Sequence, residues 1–261
     1  MNGVVCDMHV HTKFSCDSEA ELESCCLSAV QKGVGILCIT DHVDNNINDN
    51  GLGYYNAEAF FKEFYRVKEK YQSKLTLLCG IEFAEPHAYP ERLSELSAMP
   101  YDFILGTVHF WYKDMFPSLM LRMEVSLETC YAHYWTEVLA AAKAGGFDCL
   151  GHIDFPKRFY YDLILDPDKI NEICCELVRK NICMEINTSS LRRNVTESMP
   201  DKEILSIYKD CGGKYVTIGS DAHRASELAA DFAHAYKLID YFGLEEVTFV
   251  QRKPCSPLSR I

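Results

Sequence analysis

Nine histidines lie along this 261-residue chain, and six of them fall in short polar clusters that each close an apolar run. The first cluster is Asp7-Met8-His9-Val10-His11, with Ser15-Cys16-Asp17 after it. In an extended strand, residues i and i+2 project to one face, so His9, His11 and Asp7 are expected to point the same way. Neutral imidazoles and carboxylates are the usual ligands of divalent transition metals. Taken alone, the pair reads equally well as two surface histidines on an edge strand. The argument for metal is recurrence. Thr40-Asp41-His42, Gly80-Ile81-Glu82, Gly106-Thr107-Val108-His109, Gly151-His152-Ile153-Asp154, Glu185-Ile186-Asn187-Thr188 and Gly219-Ser220-Asp221-Ala222-His223 each place an acid or a histidine at the end of a further apolar run. Chance would scatter these residues.

The runs that must carry these clusters span residues 4–10, 36–40, 75–81, 103–108, 148–153, 182–186 and 215–218. They alternate with helix patterns at 18–32, 57–71, 91–96, 126–144, 168–180, 201–211 and 226–241. Such alternation predicts parallel βαβ units with right-handed connections, seven of which can close into a barrel or stay an open sheet. Asp17 or Ser18 is placed to cap the first helix and Gly33 to end it. Long connections at 43–56, 110–125 and 154–167 follow strands, so they would overhang the carboxyl edge, where ligands bind in such folds. The tail from residue 245 reads as a short strand-like run at 246–250 and a loose end.

Hydrophobic residues make up 48% of the chain and the formal net charge is −12. The first figure suffices for the core of one large domain over residues 1–261. The second argues against a long nucleic acid as partner. No apolar run is long enough to span a membrane. Thirteen cysteines, odd in number, with no Cys-x-x-Cys and no secretory leader, do not make a disulfide framework. Most are expected to act as small buried hydrophobes in a reducing cytoplasm. His87, His133 and His234 fall in loop or helix contexts and are read as surface or packing residues.

Gathered at one edge, six imidazoles and several carboxylates exceed the three or four protein ligands of a single zinc ion and suit two or three ions. Two ions roughly 3.5–4 Å apart can clamp the attacking and leaving oxygens of a phosphate ester and lower the pKa of a shared water to about 7. A ring of satisfied core histidines is the alternative; it is reasonable for one residue and poor for six.

Asp7-x-His9-x-His11, Thr40-Asp41-His42, Gly80-Ile81-Glu82, Gly106-Thr107-Val108-His109, Gly151-His152-x-Asp154 and Ser220-Asp221-Ala222-His223 resemble the metal-binding motifs of the polymerase and histidinol phosphatase (PHP) family, in that family's order. The resemblance implies a distorted (β/α)7 TIM-like barrel. It implies one ion held by His9, His11, Glu82 and Asp221, and a second that shares Glu82 and adds His109 and His152. A third would be held by Asp17, His42 and His223, and the metal would be zinc, iron or manganese. Within the family the sequence is most similar to the stand-alone histidinol-phosphatases. Arg158, after the Gly-His-x-Asp motif, and Arg192, after the sixth strand, carry that likeness, since a guanidinium fork matches phosphate oxygens. Arg193 and Lys113 are read as surface residues. The implied reaction is metal-assisted hydrolysis of a small phosphorylated metabolite, L-histidinol phosphate, to L-histidinol and phosphate. Asp154 and His223 are candidates to protonate the leaving alkoxide, and Asp44, Asp49 or Glu85 to meet the substrate's cationic group. The alternatives are a phosphoesterase of the same chemistry acting on nucleotides or another small phosphate ester, and a non-catalytic barrel.

Overall fold

The computed structural model describes residues 4–193 and 195–257. All seven expected strands are present: β1 (Val5–Val10), β2 (Val34–Val43), β3 (Thr76–Ala84), β4 (Phe103–Thr107), β5 (Cys149–Leu150), β6 (Cys183–Asn187) and β7 (Tyr215–Gly219). They pair in chain order, every ladder parallel, and the two-residue β8 (Glu245–Glu246) adds to the amino end of β7. The sheet curls until β7 meets β1 at its carboxyl end. There the Asp221 N–H donates to His9 O at 2.8 Å and the His11 N–H to Ala222 O at 2.9 Å. The result is the distorted TIM-like barrel, closed at the edge that carries the polar clusters.

Nine helices surround the sheet among the described residues: α1 (Leu22–Lys32), α2 (Ala57–Tyr71), α3 (Pro90–Ser97), α4 (Pro117–Arg122), α5 (Leu127–Ala144), α6 (Lys157–Tyr160), α7 (Pro167–Lys180), α8 (Lys202–Asp210) and α9 (Phe232–Phe242). Side chains of Asn56, Ser126, Asp166 and Asp201 cap α2, α5, α7 and α8, each satisfying an N–H that the first turn leaves free. Two helices start later than the pattern suggests. Ser18 does not cap α1; its hydroxyl donates to His223 O at 3.0 Å, so the chain reaches the first turn only at Leu22. Before α9, the segment from Ala225 wraps the seam instead, and the Ala229 N–H donates to Asp7 Oδ2 at 2.9 Å. The short α4 and α6 fall inside two of the long connections, where no periodic pattern announces them. No helix among the described residues is long and apolar enough to cross a membrane.

Inside the barrel, each strand grades from apolar to polar. Ile36 and Cys38 precede Thr40 and His42 on β2. Leu78 and Gly80 precede Glu82 on β3, and Phe103 and Leu105 precede Thr107 and then His109 beyond β4. This period-2 column is what one face of a strand supplies. β1 breaks the rule. Cys6 and Met8 pack in the interior cluster while Val10 packs in the outer core, and the register shifts between Asp7 and Val10. This bulge re-aims the strand, so Asp7 does not share the face of His9 and His11. Its carboxylate instead accepts from Ser220 N at 2.9 Å, Ser220 Oγ at 2.6 Å and Ala229 N, and it latches the seam.

The tail is more ordered than its sequence suggests. β9 (Thr248–Val250) and β10 (Lys253–Cys255) form an antiparallel hairpin. Phe249, 2% exposed, fills the amino end of the barrel against Phe103, with ring centroids 5.1 Å apart. The Arg252 N–H donates to Asp102 O at 2.9 Å, which ties the plug to the loop before β4. Phe249→Ala should therefore cost about 3–5 kcal/mol of unfolding free energy, read from urea denaturation. A loss under 1 kcal/mol would mean that the hairpin does not plug the barrel.

Candidate metal centre

The barrel's carboxyl edge opens into one cavity of about 1860 Å³. Glu82 lies at its floor, 1% exposed, and both of its oxygens face imidazoles. His9 Nε2, His11 Nε2 and His42 Nδ1 are 3.3, 3.4 and 2.9 Å from Oε2. His109 Nε2 and His152 Nε2 are 3.2 and 2.9 Å from Oε1. Register explains part of this, because His42 and Glu82 are Cα partners on β2 and β3. Asp221 Oδ1 completes the first group, 3.9 Å from His9 Nε2 and 3.5 Å from His11 Nε2. Nearer the mouth, Asp17 Oδ2 lies 3.1 Å from His223 Nε2 and 3.7 Å from His42 Nε2. All nine expected ligands thus come together.

Their tautomers are fixed from behind. Ser15 has one hydroxyl proton, donated to Asp41 Oδ1 at 2.8 Å. The His11 Nδ1 that lies 3.0 Å from the same oxygen must therefore be the donor, which leaves its Nε2 a lone pair. His9 Nδ1 donates to Glu185 Oε1 at 2.6 Å, with the same consequence. Two lone pairs then confront each other at 2.9 Å between His9 Nε2 and His11 Nε2, with carboxylate oxygens beside them. His42 Nδ1, at 2.9 Å from Glu82, makes no hydrogen bond there. Donor atoms crowded without protons between them are the arrangement that cations hold together. The donor set fits divalent ions, with mixed nitrogen and oxygen ligation suited to zinc, iron or manganese.

The carboxylates agree with this. Burial opposes ionisation of Glu82, yet His42, His9 and His109 hold its carboxyl well below the usual range. Burial likewise opposes ionisation of Asp221, and Arg158 and His9 hold it down. Burial alone would lower His9, but Glu185, Glu82 and Asp221 raise it well above an ordinary histidine, so a cation at Nε2 competes with a proton there. Burial and the charges of His223 and His42 push His11 down.

Glu185, Ser15 and Asp41 are the orienting residues that sequence reasoning missed. Asp41 and Glu185 sit inside recognised motifs, and Asp41 has the opposite strand parity to His42, the one signal that separates an orienter from a ligand. Gly219 belongs with them, since a Cβ there would collide with Glu185 Oε1 and His9 Cβ.

Around the floor stand basic groups. Arg158 donates to Asp221 Oδ2 and, at 2.6 Å, to Ser189 Oγ, while its Nε has no partner. Arg192 donates to Ser220 O at 2.5 Å and keeps Nη1 unpartnered. Arg193 and Lys113, expected as ordinary surface residues, also line this cavity, because the loops that carry them fold over the mouth. Asp154 does not reach it. Lys157, one helical turn on, pairs with Asp154 at 2.6 Å, and the Asp201 N–H donates to it at 3.0 Å, so this carboxylate anchors α6 and α8 outside the cavity. Glu85 is also turned away, accepting from His109 N at 2.6 Å and Phe110 N at 3.0 Å. His87 pairs with Glu137 and the His133 ring packs tilted against Tyr112, with centroids 4.7 Å apart.

Residues 7–189 match the family model described as "PHP domain". A probable histidinol-phosphatase of Clostridium acetobutylicum is 30% identical, with 95% of this chain and 98% of that protein covered. Another from Deinococcus radiodurans is 29% identical, covering 95% and 98%. The crystal structure of histidinol phosphate phosphatase from Lactococcus lactis, complexed with zinc, L-histidinol and phosphate, superposes with a TM-score of 0.81. It covers 97% of this chain and 99% of that one at 23% identity, and so bears out the fold.

Glu82→Gln should be among the most damaging single changes to metal content, since a neutral amide replaces a carboxylate that faces both groups of imidazoles. Elemental analysis of purified protein reads this out. A variant that retained the parent's metal content would show that Glu82 is not shared. Glu185→Gln should weaken metal affinity by about 10- to 100-fold, as loss of an orienting partner does. Competition with a chelator measures it.

Proposed function

This chain belongs to the PHP domain family, and we propose that it is a single-domain, metal-dependent phosphatase that hydrolyses L-histidinol phosphate to L-histidinol and phosphate, as in histidine biosynthesis. The observation that carries the proposal is the pairing, in one cavity, of the imidazole–carboxylate floor with guanidinium N–H groups that nothing else occupies. Two or three divalent ions on that floor would activate water and neutralise the ester's developing charge. In this reading His9, His11, Glu82 and Asp221 hold one ion, and Glu82, His109 and His152 another. Asp17, His42 and His223 hold a third. The names of the curated relatives support the substrate.

The chain's own groups do the rest. Arg192 and Arg158 line the cavity and are the groups offered to the non-bridging phosphate oxygens, with part of each guanidinium fixed by Ser220 O and by Asp221 and Ser189. A fork anchored on one side loses little freedom when it grips phosphate with the other. His223, with Nδ1 3.1 Å from Asp221 O and Nε2 3.1 Å from Asp17 Oδ2, stands at the mouth as the candidate to protonate the leaving alkoxide.

A panel of histidinol phosphate, mononucleotides and an aryl phosphate, assayed on metal-replete protein, tests the substrate. A higher kcat/KM for a mononucleotide than for histidinol phosphate would overturn it. Arg192→Ala should keep the fold and the metal content. It should lose on the order of 1.5–3 kcal/mol, the worth of a charged hydrogen bond, or roughly ten- to a hundred-fold in kcat/KM. Arg179→Ala on exposed α7 is the control. Parent-like hydrolysis and phosphate inhibition in Arg192→Ala would remove this arginine from the site.

A further inference from the structure

Nine of the thirteen cysteines are buried, as small core residues are, and two of the other four face each other. Cys175 is exposed on α7, and Cys211 is half-buried directly after α8. Their sulfurs lie 3.1 Å apart, with the Cys175 thiol as donor, the one S···S hydrogen bond among the described residues. The Cys211 thiol donates in turn to Asn171 Oδ1 at 3.2 Å, one turn earlier on α7. Neither cysteine lines the cavity. Cys211 comes just before β7 begins at Tyr215, so the pair sits at the amino side of the sheet, away from the metal floor. No cluster of three candidate metal ligands includes either sulfur among the described residues, so a bound cation does not explain the pairing.

Redox chemistry does. An S–S bond is about 2.05 Å long, so the two sulfurs have about 1 Å to close, at the surface of two neighbouring helices. We propose that Cys175 and Cys211 form an oxidation site, a surface dithiol that a hydroperoxide closes into a disulfide clamping α7 to α8. Cys175, the exposed sulfur, attacks the peroxide first. The O–O bond breaks; one oxygen stays on sulfur as a sulfenic acid, and the other leaves as water with the proton of the thiol. The Cys211 sulfur then attacks the oxidised sulfur. The S–O bond breaks, and the hydroxyl leaves as a second water with the Cys211 proton. Two thiols and one hydrogen peroxide thus give one disulfide and two waters. Burial and the contact with Cys175 push the Cys211 thiol up to about 12, which suits it to resolve a neighbour in contact rather than to meet the oxidant itself. The bond would join positions 36 residues apart, across β6, the Arg192 loop and α8. It would restrict the unfolded chain over the segment that holds Glu185, the residue behind His9.

The test uses zinc-loaded protein and a single equivalent of hydrogen peroxide, and none of its readouts depends on the phosphatase reading. The parent should lose two of its thirteen titratable thiols. Peptide mapping should place the new bond between Cys175 and Cys211, and a phosphine reductant should reverse it. The oxidised parent should unfold about 5 °C or more above the reduced one, as a disulfide across a loop of this length does. In Cys211→Ser the Tm should not respond to peroxide, and dimedone should trap a sulfenic acid on Cys175. Cys175→Ser lies at an exposed position and should lose both the bond and the Tm response; it serves if Cys211→Ser does not fold. A disulfide mapped to another pair, or peroxide treatment that leaves both of these cysteines as thiols, would overturn the proposal. So would a Cys175–Cys211 bond that leaves the Tm unchanged, because nothing would then be clamped.

Discussion

Glu82 is the contact on which the rest of this site depends. Five imidazoles approach its two oxygens from four different strands, and no amount of rotamer adjustment could bring them there if the strands were out of register. A one-residue slip between β2 and β3 would turn His42 to the outer face. The imidazoles also have to arrive with lone pairs forward. That is why carboxylates and a hydroxyl stand behind them: Glu185 behind His9, and Asp41 behind His11 through Ser15. The orienting groups are almost wholly buried, and an Asn or Gln in their place could present the wrong end to the ring. The floor is thus a two-layer device in which the inner layer sets chemistry and the outer layer sets protonation.

Such a floor cannot stabilise itself. Buried carboxylates and imidazoles are expensive to desolvate, and their mutual attraction does not reliably exceed that cost. The fold offsets it from the opposite end. The amino half of the barrel is filled by cysteine sulfurs, Met8, Leu78, Leu105, Phe103 and the tail's Phe249, a dry plug on which the polar layer rests. The bulge in β1 is where the two halves meet. Below it the interior side chains are Cys6 and Met8, and above it they are His9 and His11. The displaced Asp7 becomes the latch between β1 and the segment after β7. One irregularity therefore changes the strand's face and closes the seam.

Much of this was legible in the sequence because period and position leave little choice. Seven apolar runs, each ending in acids or histidines, dictate seven parallel strands with a shared edge, and every expected ligand lies there. What escaped reading has identifiable physical causes. Strict alternation placed Asp7 with His9, since a bulge leaves no mark in residue type. Asp154 read as a catalytic acid because its motif abuts His152, while its real partner, Lys157, is set by the turn into α6. Arg193 and Lys113 read as solvated charge because loop paths over a cavity mouth follow from packing rather than periodicity. The tail's three-residue strands are too short to announce themselves, and their order comes from Phe249 and from hydrogen bonds to Asp102. α1 starts late because Asp17 and Ser18, good caps by type, are drawn into the site.

Arg158 ties the cavity wall to the floor. One of its nitrogens is committed to Asp221, itself a member of the ligand group, and its plane lies over Phe155 with the guanidinium carbon 4.9 Å from the ring centroid. A guanidinium held on two sides has little freedom left to lose. The same contact lowers the electron density that Asp221 can give to an ion, since the carboxylate is shared between two cations. Arg192 is free of that compromise, because it leans on a backbone carbonyl instead. The two arginines are therefore unequal by construction. One is tied to the floor through Asp221, and the other is not. In a chain whose net charge is −12, the two guanidinium groups set a local positive field beside the floor, against the sign of the overall one.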